Sequence, residues 1–399
     1  MNKRALLHDG EPRGFWPLAA AGALVLALAL GAAHYMEEHG HAVTGMGNEI
    51  VWGLPHVFAI FLIVAASGAL NVASVGSVFG VAAYKRRGPL SALLALALLA
   101  GGLMVLVLDL GRPERLVVAA THYNFRSIFA WNMILYNGFL AIVAVYAWTS
   151  LERRFEPWSK PVGLLAFLWR LVLTTGTGSI FGFLIARPGY ASGLIALLFI
   201  ALSLAWGLAV FLLAQEALAR WHAIPVPESF RLRLRRLLGV FVAAAAYLSA
   251  VHHVTNLYWA KQASFERFIL VDGAPYAFLF WAGYVGVGTV LPLALAYHPR
   301  FAGPRATRLA AVAVIAGAFA HLYVFIIGGQ AFPLEIFPGY DVASSFRDGA
   351  VAAYAPSLPE ALLGLGGVAL AFLGVLVGAR LFDLVPREPD PPAHASSAP

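Results

Sequence analysis

Residues 109–137 concentrate side chains that can exchange protons or hydrogen-bond a ligand, and they lie between two long apolar runs. The segment reads DLGRPERLVVAATHYNFRSIFAWNMILYN. Ionisable groups at membrane depth cost roughly 2.5–3.5 kcal/mol each on insertion scales, so they usually face a bundle interior or a cavity. We therefore expect this segment to form the edge of a functional site.

Histidine supplies acid–base chemistry of the kind that such a site would use. His56 follows Pro55 near the start of the second apolar run. An imidazole titrates at about pH 6.5, so it can both hydrogen-bond a carbonyl oxygen and exchange protons at working pH. We predict His56, Asp109 and His122 as the proton-exchanging residues. The alternative for a single histidine is a structural role in the core.

We expect the rest of the segment to form one wall of the same site. Arg112-Pro113 should end the preceding helix, because proline disfavours helical geometry in the residue before it. VVAATHYNFR is too short to span a membrane and too apolar for a free loop, so we expect an interfacial piece buried against protein. The predicted binding residues are His56, Arg112, Tyr123, Asn124, Arg126, Trp131 and Tyr136. The alternatives are an aromatic belt with helix caps and, for Asp109, a salt bridge with Arg112.

Arg170 lies inside the fifth apolar run, roughly 12 Å from its start at a rise of about 1.5 Å per residue. Thr174 follows one turn later on the same helix. We predict Arg170 and Thr174 as stations on an inward proton path. The alternative is that Arg170 extends its charge to the nearer membrane surface, which needs no function.

The composition places these groups in a membrane protein. Hydrophobic residues make up 60% of the 399 and charged residues 12%, whereas a soluble domain has roughly 45–50% and 25%. The chain has no cysteine, so it cannot ligate an iron–sulfur cluster with thiolates of its own. Loop topology accounts for the net charge of +7, so we predict no nucleic-acid partner. We predict no metal site either.

Ten apolar runs are long enough, at about 20 residues, to cross a bilayer. They cover 15–33, 52–83, 89–109, 128–149, 162–185, 192–214, 237–258, 274–297, 308–328 and 358–382. Lys and Arg alternate between the connections, nineteen on one side and seven on the other, with Arg170 inside a span. Cytoplasmic loops carry this excess, so we predict an all-α, multi-pass protein of the cell inner (cytoplasmic) membrane with both termini in the cytoplasm.

Three blocks resemble one known family of membrane proteins. WGLPHVFAIFLIVAASGALNVAS, LDLGRPERL and the SIFAWN helix are similar to the polysulfide-reductase membrane subunit (NrfD-like) family, over about residues 50–330. Within it, residues 45–80 and 121–146 look most like DsrP, the quinone-interacting membrane subunit of the dissimilatory sulfite-reductase-associated complex. The membrane subunit of some nickel–iron hydrogenases is the nearest alternative.

The resemblance implies two four-helix bundles in residues 51–330. Residues 1–50 would add a cytoplasmic N-terminus, one helix and an outer loop; residues 331–399 would add an outer loop, a last helix and a disordered cytoplasmic tail. It also implies a site near the outer face of the first bundle, with position 56 close to the family's quinone-site residues. There a quinone, either menaquinone or ubiquinone, would exchange electrons with an extracytoplasmic partner. The implied partners are a periplasmic ferredoxin-like iron–sulfur subunit, a multihaem cytochrome c, other membrane subunits and the quinone pool.

Two other classes would use these residues differently. His252, His253 and His321 fall at a predicted depth similar to that of His56, and a b-type haem would need two such imidazoles facing each other across a bundle. A secondary transporter often places its site near the bilayer midplane, whereas most polar groups here gather toward one face. We expect a quinone-linked subunit of an oxidoreductase complex that does not catalyse alone, with haem b the less favoured alternative.

Overall fold

Each of the ten predicted spans forms a helix in the computed structural model, which describes residues 14–301, 303–334, 340 and 349–386. The helices are α1 Phe15–His39, α2 Leu54–Ser77, α3 Gly88–Leu108, α4 Ile128–Leu151, α5 Ser159–Gly182, α6 Leu194–Trp221, α7 Glu228–Tyr258, α8 Ala274–Tyr297, α9 Gly303–Ala331 and α10 Leu358–Leu381. Those ranges contain no β-strand. The first thirteen residues and most of the predicted tail lie outside them.

The spans are helical because a helix satisfies every backbone polar group within the segment once water is excluded. α2, α3 and α10 each carry a proline in the first turn, where no helical hydrogen bond is lost. α8 and α9 contain wider π-helical turns, at Leu279–Val290 and Tyr323–Gly328. Turns of this kind are rare in proteins and are often found at functional sites.

The core is built from two four-helix bundles, as predicted. α2, α3, α4 and α5 pack together in the first bundle, and α6, α7, α8 and α9 in the second. α10 packs against α2 and α3, and α1 packs against α10. The two helices outside the bundles therefore cover one side of the first bundle.

α2 and α6 make the closest contact between the bundles. A side chain at Gly68 of α2 would overlap the carbonyl oxygen of Ser203 on α6, and one at Gly207 would overlap the backbone at Gly68. Small residues let helix backbones approach in this way inside membranes, where packing drives helix association. α2 is consequently enclosed by protein along most of its length, whereas α1 keeps most of its surface free for lipid.

Successive helices run in opposite directions, which gives the molecule two ends. Asp109, just after α3, meets His56 at the start of α2. At the opposite end, Arg87 donates to Gln215 near the end of α6 and lies over the ring of Phe230 at the start of α7. We refer to these as the His56 end and the Arg87 end.

Candidate functional site

The LDLGRP block turns the chain at the end of α3 and leaves a carboxylate inside the first bundle. α3 ends at Leu108 and Asp109 caps it. Gly111 has a φ of 68°, a left-handed conformation that glycine adopts without strain. Pro113 then begins a short 3-10 turn. Asp109 is 7% exposed, so its charge is almost withdrawn from solvent.

His56, in the first turn of α2, meets that carboxylate. Its Nδ1 atom lies 3.0 Å from Oδ2 of Asp109. The contact has ion-pair distance without hydrogen-bond geometry, so Nδ1 and both carboxylate oxygens lack a hydrogen-bond partner among the described residues. Buried polar atoms in proteins usually have such a partner. Asp109 does not pair with Arg112, which is exposed beyond the turn at Gly111.

A cavity of about 600 Å³ opens beside this pair, within the range of roughly 300–1,000 Å³ that is typical of small-molecule sites. Its walls are mostly apolar and come from α2, α3, α4 and α5, from the segment between α3 and α4, and from Ile326 of α9. The polar side chains in the lining, apart from the Trp52 indole, are His56, His122, Asn124, Ser127, Asn132, Tyr136 and Asn137. The arrangement suits a largely apolar ligand with a few hydrogen-bonding atoms.

α4 contributes two of these polar groups from one face, because residues four apart lie above each other on a helix. Asn132 donates through Nδ2 to the carbonyls of Ile128 at 2.9 Å and Gly176 at 3.0 Å, which fixes its amide. Its Oδ1 is buried without a described partner. The hydroxyl of Tyr136 lies 3.2 Å from that of Thr177 on α5. The cavity wall thus carries the Tyr136 hydroxyl and a fixed Asn132 amide whose Oδ1 atom lies against Gly176 of α5.

Trp52 flanks the cavity beside His56. The two rings stack with their centroids 6.0 Å apart. Oε1 of Gln330 accepts from the N–H groups of Val51 and Trp52 at 3.0 Å each, and its Nε2 donates to the carbonyls of Trp52 and Ile326 at 2.9 Å. Since Gln330 ends α9, the second bundle holds the loop that positions Trp52.

Two further contacts hold the same loop. Arg187, after α5, donates to the carbonyl of Gln330 at 2.7 Å. The Tyr354 hydroxyl accepts from the N–H of Leu54 and donates to Glu360, at 2.6 Å each. Burial raises the pKa of Tyr354, and the Glu360 carboxylate raises it further, so the phenol keeps the proton that it donates. The start of α2 is therefore tied both to α9 and to α10.

Comparison with known proteins places this arrangement in a family. The family profile described as "Polysulphide reductase, NrfD" matches residues 42–334, which is more than half of the chain. The chain belongs to the NrfD family.

Several curated relatives align over most of their length. The Hdr-like menaquinol oxidoreductase integral membrane subunit of Archaeoglobus fulgidus is 27% identical over 368 residues, covering 91% of this chain and 92% of the relative. A putative dimethyl sulfoxide reductase membrane subunit of Halobacterium salinarum is 26% identical over 403 residues, covering 92% and 91%. A selenate reductase subunit of Mesobacillus selenatarsenatis is 23% identical over 386 residues, covering 85% and 88%.

In this NrfD-family chain, some predicted site residues gather at the cavity and others do not. Those in the lining are His56, His122, Asn124 and Tyr136, and Asp109 contacts His56. Those outside the lining are Arg112, Tyr123, Arg126 and Trp131. Trp131 is exposed and donates to the carbonyl of Phe125, and Tyr123 donates to the carbonyl of Ala130. Both bonds hold the turn that leads into α4.

The VVAATHYNFR segment forms a short helix, Leu116–Thr121. It is not buried against protein as expected, because Val117 and Val118 are exposed. Leu116, Ala119 and His122 instead line the cavity. The helix therefore forms a rim with one face toward the site.

Arg170 and Thr174 lie below the cavity between α5 and α2. Arg170 is 3% exposed and donates to Oδ1 of Asn71 at 3.1 Å, so it does not extend to a membrane surface. Its Nε and Nη1 atoms have no partner in the described part of the chain. The Thr174 hydroxyl lies 2.6 Å from that of Ser67 and donates to the carbonyl of Arg170. From the cavity, the polar groups follow in the order Tyr136, Thr177, Thr174, Arg170 and Asn71.

Two residues of the site were not among those predicted: Trp52 and Gln330. Asn132 lies within the predicted segment, one helical turn before Tyr136, whereas Trp52 lies in the loop before α2, where helical spacing from His56 does not apply. Gln330 carries no comparable signal, because it reaches the site from the end of another bundle.

Proposed function

We propose that this chain is the quinone- or quinol-interacting membrane subunit of an electron-transfer complex. The observation that carries the proposal is the mostly apolar cavity of about 600 Å³ with the His56–Asp109 pair at its edge. A quinone is a flat apolar ring with two carbonyl oxygens, so its pocket needs hydrophobic walls and a few placed polar groups. The cavity has that composition.

The polar groups that can bind a ligand lie on two walls of the cavity. His56 on α2 and Tyr136 on α4 can each donate to a carbonyl oxygen of a ligand in the cavity. Reduction of a quinone takes up two electrons and two protons, so one of these groups must also exchange protons. His56 can, because an imidazole gains and loses protons on its ring nitrogens, and the Asp109 carboxylate lies 3.0 Å from its Nδ1 atom.

Polar groups lead away from the cavity in two directions, one from His56 and one from Tyr136. Asp109 and His122 lie toward the His56 end, and His122 is exposed to solvent. Thr174 and Arg170 lead in the opposite direction, along the polar row on α5. We assign the quinol protons to the first route, because the second passes a buried guanidinium, which carries its own positive charge.

The names of the relatives support a redox role. The Archaeoglobus fulgidus relative is named for menaquinol oxidation, and two others are named as subunits of reductases. We infer that the chain exchanges electrons between the quinone pool and other subunits of its complex. The name of the first relative favours menaquinone as the quinone, and the closer resemblance to DsrP remains a prediction.

Loop charge supports a sidedness for the site. Lys85, Arg86 and Arg87 lie at the Arg87 end, where the excess of positive residues predicts the cytoplasm. The His56 end then faces the periplasm, and both termini lie in the cytoplasm. The exposed Arg112 and Arg126 beside the cavity rim would face the proposed partners, a ferredoxin-like iron–sulfur subunit and a multihaem cytochrome c.

The test uses the assembled complex with His56→Ala. Losing a hydrogen bond costs about 0.5–1.5 kcal/mol, or roughly 2- to 13-fold in affinity. A quinone analogue should bind several-fold more weakly, and quinol-linked turnover should fall further because a proton-exchanging group is lost.

His298→Ala is the matched control, since His298 is exposed and lies outside the cavity lining. The control should change neither property. Wild-type binding and turnover in the His56→Ala complex would show that the site lies elsewhere.

A further inference from the structure

The second bundle contains a buried group of titratable residues that the proposed quinone site does not use. His252 and His253 lie on α7, Glu266 on the short helix Ala260–Arg267, and His321 on α9. Glu266 is fully buried, and His252 and His321 are nearly so. An unpaired charge is costly in such surroundings, so the protonation of this cluster has a strong effect on its energy.

His253 and Glu266 are close enough to share a proton. Nδ1 of His253 lies 2.7 Å from Oε2 of Glu266, and Nδ2 of Asn256 donates to Oε1 at 2.7 Å. With one proton between imidazole and carboxylate, the pair carries a net charge of −1. A second proton makes it neutral, either as imidazolium with carboxylate or as imidazole with carboxylic acid. Binding that proton removes a buried charge.

His252 extends the cluster with a defined tautomer. An amide nitrogen only donates, so Nε2 of His252 must accept in its 3.2 Å contact with Nδ2 of Asn256. The imidazole proton then lies on Nδ1, which is buried without a described partner. Nε2 of His321 is likewise without a described hydrogen-bond partner, and its ring lies 4.5 Å from that of Tyr284, whose hydroxyl interacts with Ser249. These atoms could pass a proton on.

The space among these side chains limits what can bind. It measures about 20 Å³, which is room for about one water molecule. An organic ligand or a haem does not fit there. A proton needs no such space, because it binds to the titratable atoms themselves.

No fixed positive charge among the described residues neutralises Glu266. Among the described residues, its only ion-pair partner is His253. The half of α6 at the His56 end has no titratable residue. At that end, the other charged or titratable groups on the surrounding elements are Arg187, Tyr190, Tyr247, Tyr258, Lys261, Arg267, Asp272, Tyr276, Tyr284, His321 and Tyr323. Of these, Arg267 pairs with Asp272, Arg187 bonds to backbone carbonyls, and Lys261 is exposed.

Two aromatic rings separate the cluster from the quinone cavity. Phe325 stacks on His321 at 5.9 Å and borders the small space, whereas Phe181 borders the cavity. The centroids of the two phenylalanines are 5.0 Å apart. The cluster is therefore a distinct site that shares a wall with the first. His253 connects the cluster to the protein surface, because its side chain is 17% exposed whereas Glu266 is fully buried.

We propose that His253 and Glu266 form a proton-binding site of the second bundle, extended inward by His252 and His321. The site takes up and releases one proton through His253 at the His56 end. Only N–H and O–H bonds form or break. The proposal does not depend on what binds in the first cavity.

The test is infrared difference spectroscopy of the assembled complex in lipid nanodiscs during a pH titration. Wild type should show a titrating, deuterium-sensitive band, either from a protonated carboxylic acid or from an imidazolium ring. Glu266→Gln preserves size and hydrogen bonding but cannot ionise, so this band should disappear. His253→Gln should also remove or shift it.

Glu216→Gln is the matched control, because that buried carboxylate pairs with Arg231 at 2.6 Å near the Arg87 end. It should leave the band unchanged. Quinone-analogue affinity should stay at the wild-type value in Glu266→Gln. The proposal is overturned if the variants in Glu266 and His253 reproduce the wild-type titration. The independence of this site from the first cavity is overturned if Glu266→Gln lowers analogue affinity as well as removing the band.

Discussion

Gln330→Leu tests whether the second bundle positions the proposed quinone site. Leucine fills a similar volume but makes none of the four hydrogen bonds of the glutamine side chain. Three of those bonds reach the loop before α2, at the N–H of Val51 and at the N–H and carbonyl of Trp52. The substitution should therefore free the loop while leaving the helices in place.

The free energy by which Gln330→Leu destabilises the closed loop follows from those three bonds. Each contributes about 0.5–1.5 kcal/mol net, or about 1.5–4.5 kcal/mol together. Val51 is 52% exposed, so water can replace part of the hydrogen bonding that the substitution removes. We therefore expect a loss of loop stability in the lower half of that range, roughly 2 kcal/mol. That corresponds to about a 30-fold increase in loop opening. If binding requires the closed loop, analogue affinity falls by up to the same factor.

Hydrogen exchange measured by mass spectrometry should show faster exchange in a peptide covering Val51 and Trp52, and an analogue titration on the same sample should show weaker binding. Gln215→Leu is the control, because Gln215 is also buried but bonds to Arg87 at the other end. Faster exchange with unchanged affinity would refute the idea that Trp52 must be held for binding. Unchanged exchange would refute the role assigned to Gln330.

Three further predictions concern charge, topology and colour. Asp109→Asn keeps the shape of the side chain but removes the charge beside His56, so quinol turnover of the assembled complex should fall more than analogue binding; equal losses would indicate a role in binding alone. Reporter fusions after Arg87 and after Ala355 should report cytoplasm and periplasm respectively, and a result placing both on one side would contradict the proposed sidedness. The isolated subunit should be colourless and should not turn over quinol without a partner; a b-type α-band near one haem per chain in its reduced-minus-oxidised spectrum would favour a cytochrome.

The spanning helices could be predicted because their signal is local. A continuous apolar run has one stable backbone solution in a membrane, so all ten were found from the sequence. The predicted ends of the helices were less accurate. α6 continues to Trp221 and α7 begins at Glu228, beyond the predicted limits of 214 and 237, and Arg231 on α7 bonds to Glu216 on α6. Polar ends of this kind extend a helix without contributing to an apolar run.

The site was harder to predict because side-chain direction depends on helix phase. Adjacent residues on a helix of 3.6 residues per turn point about 100° apart, so Trp131 and Asn132 point in different directions. Asn132 is buried and lines it, whereas Trp131 is exposed. Asp109 was predicted as a site residue, but its contact with His56 joins two helices and has no local signal.

The contact between Gly68 and Gly207 limits which fragments of this protein can keep the structure of the site. Backbone meets backbone there, so no layer of flexible side chains can absorb a relative movement of α2 and α6. The other side of α2 carries His56 and Ile60 of the cavity lining. A fragment ending after α5 would lose this contact and the Gln330 bonds to Trp52 together. The smallest unit expected to hold a formed cavity therefore runs from the loop before α2 to α10, and the first bundle alone would lack the contacts that shape its site.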